Sequence, residues 1–206
     1  MYWVSGSIPS WRVMLCLAQK GLPYSRKRLR VMSTPKETRS AEFAAINPRC
    51  KTPVFIDEDG TVIIESLAIL QYLETYYADA APLMPKPAEK EKYKLALQRF
   101  HESENLHNVF EDMEFLYLPK WKETPNRERI LEAYENTLAE LKFWEGYLET
   151  SSFVAGETFS LADCAFYPNV AYLIHRGLDL EKEGFGALKA YYERVRGMEC
   201  AADALP

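Results

Sequence analysis

The chain has 206 residues, 48% of them hydrophobic and 27% charged, a balance that folds as one large domain or two small ones. Its formal net charge of −5 argues against a general nucleic-acid binder, and no run approaches the ~20 apolar residues that cross a membrane. Cys16, Cys50, Cys164 and Cys200 are scattered with no C-x-x-C spacing, and the N-terminus lacks a basic region ahead of an apolar run; both features predict a cytoplasmic protein with reduced thiols.

Tyr2-Trp3-Val4 is a short apolar run ending at Ser5-Gly6 and reads as a buried strand. Pro9 suits the first turn of a following helix, where its missing N–H is no loss. Residues 11–18 are apolar except for Arg12, so this helix needs cover on both sides, between a sheet and a second layer. Gly21 is a fitting stop. Residues 24–31 read as a second strand, made basic by Arg26, Lys27, Arg28 and Arg30. Such charge suits a phosphate-binding strip or an edge strand guarded against mispairing, and the second use is much the commoner. Strand, helix and strand in succession predict a parallel pair with a right-handed crossover.

A polar helical segment over 37–46 leads into Asn47-Pro48, a turn signal. The β-prone runs 53–56 and 61–64 flank Asp57-Glu58-Asp59-Gly60, which predicts a hairpin. Leu67, Ile69, Leu70, Leu73, Tyr76 and Tyr77 then form a helical stripe. The order β-α-β-α-β-β-α is the thioredoxin-like layout, assigned to residues 1–78. Residues 79–88 hold Pro82, Pro85 and Pro87 and read as an interdomain linker. Beyond it no strand pattern remains. Helices are expected over 88–118, broken by Pro119; over 126–148; over 161–176, with a kink at Pro168; and around Phe185, Leu188, Tyr192 and Val195. Residues 89–206 are therefore expected to form an all-α domain.

The corner where the first strand meets the first helix reads Ser5-Gly6-Ser7-Ile8-Pro9-Ser10-Trp11-Arg12. Redox members of the thioredoxin-like layout keep C-x-x-C there. Ser7 and Ser10 take that spacing instead, so no thiol is present to exchange disulfides at this corner. A hydroxyl at a helix N-terminus can cap the helix, or it can donate to a bound thiolate with help from free N–H groups and the dipole. Spacing alone leaves open which serine would face a sulfur. Thr52-Pro53 opens the third strand, where a trans proline is the ordinary reading, whereas in a thioredoxin-like frame a cis bond is expected that presents the Thr52 backbone to a peptide ligand. Glu65-Ser66 opens the next helix, as ordinary first-turn residues or as part of an anion site.

The run Ser7-x-x-Ser10-Trp11-Arg12-Val13, with Asn47-Pro48, Thr52-Pro53 and Glu65-Ser66-Leu67-Ala68-Ile69, resembles the glutathione-binding half of a cytosolic glutathione transferase. The likeness continues through Glu140-Leu141-Lys142-Phe143-Trp144, Val154-Ala155-Gly156 and Phe159-Ser160-Leu161-Ala162-Asp163 to Pro168 and Tyr191-Tyr192. It covers nearly the whole chain and is strongest toward the rho class, with the zeta class as neighbour. The resemblance implies conjugation of glutathione, a co-substrate here, to hydrophobic electrophiles by a homodimer, with Ser7 activating the thiol. It implies a cis Pro53, main-chain bonds from Thr52, Glu65 and Ser66 at the γ-glutamyl end, Lys51 at the glycyl end, and Arg39 near that same carboxylate. Glutathione-dependent isomerisation or peroxide reduction, or a non-catalytic relative, are the rival readings. Zeta isomerases carry a cysteine where Pro9 stands, which weakens the isomerase reading.

Trp11, Phe110, Met113 and Tyr117 are candidates to line the electrophile pocket, and a plain core stripe explains them equally well. Ser160-Leu161-Ala162-Asp163 has the form of a capping box and is assigned to folding. His101-Glu102 lacks a second histidine at position 105, and with His107 and His175 as the remaining histidines no metal site is expected.

Overall fold

The computed structural model describes residues 1–117 and 127–204, with the backbone alone for 111–117 and for residue 203. The chain divides into two compact units, residues 1–84 with 195–206, and residues 85–194.

The first unit runs β1 (Tyr2–Trp3), α1 (Ile8–Gln19), β2 (Lys27–Arg28), a 3-10 turn (Glu37–Arg39), α2 (Ala41–Ile46), β3 (Val54–Ile56), β4 (Val62–Ile64) and α3 (Ser66–Tyr76). This is the predicted element order. The sheet order is β2-β1-β3-β4, with β1 and β2 parallel and the other neighbours antiparallel. The β2 ladder is shorter than the predicted 24–31, and its Lys27 and Arg28 are exposed. It lies at the sheet edge, where exposed basic side chains discourage a further strand.

Alternation along the strands sorts the core. Val54 packs with Leu29 and Phe43, supported by Tyr2, Val4, Ile46, Ile56 and Ile64. Phe55 faces the other way, toward Tyr72 of α3, with ring centroids 6.5 Å apart. As its apolar girth requires, α1 is buried along most of its length and packs against α3 and against a short C-terminal helix, α8 (Glu199–Asp203). The predicted hairpin is present. Gly60 adopts φ +89°, and its N–H donates to the Asp57 carbonyl at 3.0 Å. Burial works against the Asp57 charge, but the hydroxyls of Tyr72 and Tyr77 donate to its carboxylate and hold its pKa below the ordinary value. The bond to Asp57 pushes the Tyr77 phenol up to about 12.

The end of this unit is strapped in place by a buried ion pair. Lys20 Nζ, with no exposed side-chain surface, sits 2.7 Å from a Glu74 carboxylate oxygen. It also donates to the carbonyls of Tyr77 and Ala80 at 3.2 and 3.1 Å. Glu74 in turn accepts from the N–H groups of Leu83 and Met84. Much of the predicted 79–88 linker is thereby fastened to the first unit, and the division falls after Met84.

The second unit carries α4 (Lys90–Tyr117), α5 (Arg127–Leu148), α6 (Leu161–His175) and most of α7 (Gly186–Arg196). Apolar on nearly every face, α6 forms its centre. Phe166 stacks on Trp144 of α5 at 3.9 Å and approaches Tyr191 of α7. The C-terminus departs from the predicted division, because residues 195–206 belong with the first unit. The small residues Cys200, Ala201 and Ala204 are buried there and permit close approach to α1. No helix among the described residues is long and apolar enough to cross a membrane, and no disulfide joins the four cysteines.

Candidate active site

The strand register gathers three predicted segments at one end of the sheet. Tyr2 pairs with Val54, and Val54 with Ile64. Since β3 runs antiparallel to both β1 and β4, the end of β1, the start of β3 and the end of β4 share one edge. The segments immediately beyond that edge carry Ser7, Thr52-Pro53 and Glu65-Ser66.

Ser7 is the N-cap of α1, in extended conformation (φ −85°, ψ 106°) and half-buried. Gly6, at φ +76°, makes the preceding bend, and the Ser7 N–H donates to the Val4 carbonyl. The Ser7 hydroxyl oxygen accepts twice from Ser10: from its N–H at 3.3 Å and from its hydroxyl at 3.0 Å. Ser10 has no exposed surface. Of the two serines, Ser7 is the one open to a ligand.

Pro53 is buried and its bond to Thr52 is cis. The loop before it is organised by Asn47, itself only 2% exposed. Its amide nitrogen donates to the Lys51 carbonyl at 2.7 Å, and its side-chain oxygen accepts from the Arg49 N–H at 3.0 Å. Both ends of one amide thus set the approach to Thr52, while the Lys51 side chain remains exposed. Sequence reasoning read Asn47-Pro48 as a turn signal and as one of the motifs carrying the family resemblance, and missed this bracing role of the Asn47 side chain.

Glu65 caps α3 with φ +69° and ψ 118°, a backbone region that costs a residue with a side chain roughly 1–3 kcal/mol. It is exposed, and no side chain caps the helix. Ser66 is buried at the first helical position. Its hydroxyl has no hydrogen-bond partner among the described residues. The first N–H groups of α3 are thus without a side-chain cap, an arrangement that suits an anion. The positive φ at a glutamate has no local sequence signal. Arg39 is exposed at the end of the 3-10 turn Glu37–Arg39, and its guanidinium bonds to no other described residue.

The apolar candidates fare differently. Trp11 is buried in α1 of the first unit. Phe110 is buried in the second, with Tyr172 at 5.2 Å and His107 at 6.4 Å between ring centroids. The side chains of Met113 and Tyr117 lie outside the described residues. Asp163 occupies the third position of α6 and is fully buried, with its carboxylate accepting from the N–H of Ser160 at 2.8 Å. It also accepts from the Ser160 hydroxyl at 2.8 Å and from the Val154 N–H at 3.1 Å. Burial, only partly opposed by these bonds, pushes its pKa up to about 6. This is the folding role predicted for it. Among the described residues no group of three or more His, Cys, Asp or Glu is placed to hold a metal.

A mixed four-stranded sheet with a cis-proline before its third strand and two helix N-termini at the same edge defines a thioredoxin-like domain, here followed in the chain by a helical unit. Family models for the glutathione S-transferase N-terminal and C-terminal domains match residues 7–75 and 107–199. Glutathione S-transferase A of Pleuronectes platessa is 38% identical over 205 residues, spanning 95% of this chain and 86% of that protein. A probable maleylacetoacetate isomerase of Caenorhabditis elegans is 39% identical over 110 residues, 52% of this chain and 48% of its own. Among solved structures, a glutathione S-transferase from the Antarctic clam Laternula elliptica superposes with TM-score 0.85 at 33% identity, covering 100% of this chain and 90% of that one. The chain belongs to the glutathione S-transferase family and is an enzyme of that kind.

Proposed function

We propose that this enzyme conjugates the thiolate of glutathione to hydrophobic electrophilic small molecules, with Ser7 as the thiolate's hydrogen-bond donor. The observation that carries the reading is the gathering of Ser7, Thr52-Pro53 and the α3 N-terminus at one sheet edge. Two strand spacings of about 4.8 Å separate β1 from β4. From the cysteine sulfur to the γ-glutamyl carboxylate an extended ligand reaches about 10 Å, a matching span.

In this reading the γ-glutamyl carboxylate meets Ser66 and the first N–H groups of α3, and Glu65 faces the adjoining ammonium. The cysteinyl main chain pairs with the Thr52 backbone. Lys51, with Arg39 nearby, receives the glycyl carboxylate. Such anchoring holds the sulfur beside Ser7. A free thiol with pKa about 8.5 is only a few per cent ionised at neutral pH. Lowering it by about 2 units needs about 2.7 kcal/mol of preferential thiolate stabilisation. One hydrogen bond to a charged group supplies roughly 1.5–3 kcal/mol, and the α1 dipole adds to it. Ser7 and the helix end together are sufficient. Trp11, Phe110, Met113 and Tyr117 stand as candidates for apolar contact with the electrophile.

We further propose that the enzyme is a cytoplasmic homodimer nearest the rho class. The partial likeness to an isomerase supports glutathione-dependent isomerisation as the second reading, and Pro9, in place of the cysteine that zeta isomerases carry, weighs against it. The test is retention on immobilised glutathione followed by a chloronitroaromatic conjugation assay on wild type and Ser7→Ala. Retention with turnover that falls at least about 10-fold in the variant is expected, the loss of one charge-assisted hydrogen bond. Retention without wild-type turnover overturns the transferase reading, and equal turnover in both proteins removes Ser7 from its role.

A further inference from the structure

We infer that Ser10 is a positioning residue: by filling the second lone pair of the Ser7 oxygen, it commits the Ser7 proton to the bound sulfur. The inference rests on the reading of Ser7 as thiolate donor. A serine hydroxyl has two acceptor lone pairs and one proton. Capping α1 uses one lone pair, through the Ser10 N–H at 3.3 Å. With that bond alone the hydroxyl could still accept from a third group or swing its proton elsewhere. The Ser10 hydroxyl, 3.0 Å away, takes the other lone pair. Donation is then the one hydrogen-bonding function left to Ser7.

The direction of that bond follows from burial. Ser10 has no exposed surface, so a reversed assignment would strand its proton in the interior, at the cost of an unsatisfied buried donor. Ser7, half-exposed, can aim its proton outward. The spacing is dictated by the helix: with Ser7 as N-cap, Ser10 is the third helical residue, whose side chain reaches back over the first turn. In a capping box a longer Glu or Gln at this position would reach the N-cap backbone. A serine is too short for that and meets the N-cap oxygen instead. Each bond in such a chain strengthens the next by about 10–30%, so Ser10 also makes Ser7 a better donor.

The experiment is spectroscopic titration of the bound glutathione thiol in wild type, Ser7→Ala, Ser10→Ala and the double variant, with kcat and KM for glutathione. Ser7→Ala is expected to raise the thiol pKa by about 2 units. Ser10→Ala is expected to raise it by about 0.2–0.6 unit, the cooperative share of that shift, with KM for glutathione within about 2-fold of wild type. Added to Ser7→Ala, it should move the pKa no further, because it acts through a hydroxyl no longer present. Ser10→Cys, close in shape but a weak donor, is expected to shift the same way and serves if the alanine variant fails to fold. A Ser7→Ala shift with none for the Ser10 variants overturns the inference and leaves the Ser7 reading standing. A Ser10→Ala shift of equal size in the Ser7→Ala background also overturns it, since that shift would come from helix packing. No shift in Ser7→Ala removes both.

Discussion

Asp163 makes the stability of this protein depend on pH in an unusual direction, and Asp163→Asn isolates the effect. The carboxyl is fully buried at the start of α6, and burial raises its pKa from 3.8 to about 6 despite the donors of Ser160 and Val154. A carboxyl with a raised folded-state pKa binds its proton more tightly in the folded chain than in the unfolded one. Its contribution is therefore greatest below about pH 4 and is lost as pH rises through about 6. A shift of this size corresponds to about 3 kcal/mol, of which roughly half is lost between pH 5 and pH 7.5. Asparagine cannot titrate. Unfolding by denaturant at the two pH values, on wild type and variant, should show the stability difference shifting by about 1 kcal/mol or more in favour of the asparagine protein at the higher pH. Parallel pH profiles would refute the reasoning, because they would mean that the buried carboxyl keeps an ordinary affinity for its proton.

Two further perturbations probe other parts of the first unit. Lys20→Ala should cost about 3–5 kcal/mol, the usual consequence of removing one partner of a buried ion pair. Because Glu74 and three carbonyls then lose their cation, limited proteolysis should cut faster within 77–84. Glu65→Gly should stabilise the protein to denaturant by about 1 kcal/mol, by relieving the backbone at φ +69°. The same change should raise KM for glutathione, so a variant both more stable and unimpaired would contradict the role proposed for Glu65.

How much of this was legible in the sequence depends on whether each feature is local. The element order was readable because its signals lie within a few residues: apolar runs in β3 and β4, the Asp57-Gly60 turn, the stripe of α3. The extent of β2 was not, since Lys27 and Arg28 are exposed and add no apolar side chain to the core. The return of the C-terminus to the first unit was equally hidden, because Cys200, Ala201 and Ala204 carry no pattern that names α1 as their neighbour.

The candidate site divides in the same way. Ser7, Thr52-Pro53 and Glu65-Ser66 each sit where a strand meets a helix or loop, and those junctions are marked by short-range residue choices. What unites them is register, a long-range property: Tyr2 opposite Val54 opposite Ile64 carries three junctions to one edge. The positive φ of Glu65 leaves no mark in residue type, and the Ser7-x-x-Ser10 spacing permits the two hydrogen bonds from Ser10 to Ser7 without specifying their direction. A serine at a helix start is compatible with a plain cap in any protein. It becomes a directed donor only when its oxygen is already occupied from within, and the burial of Ser10 creates that condition.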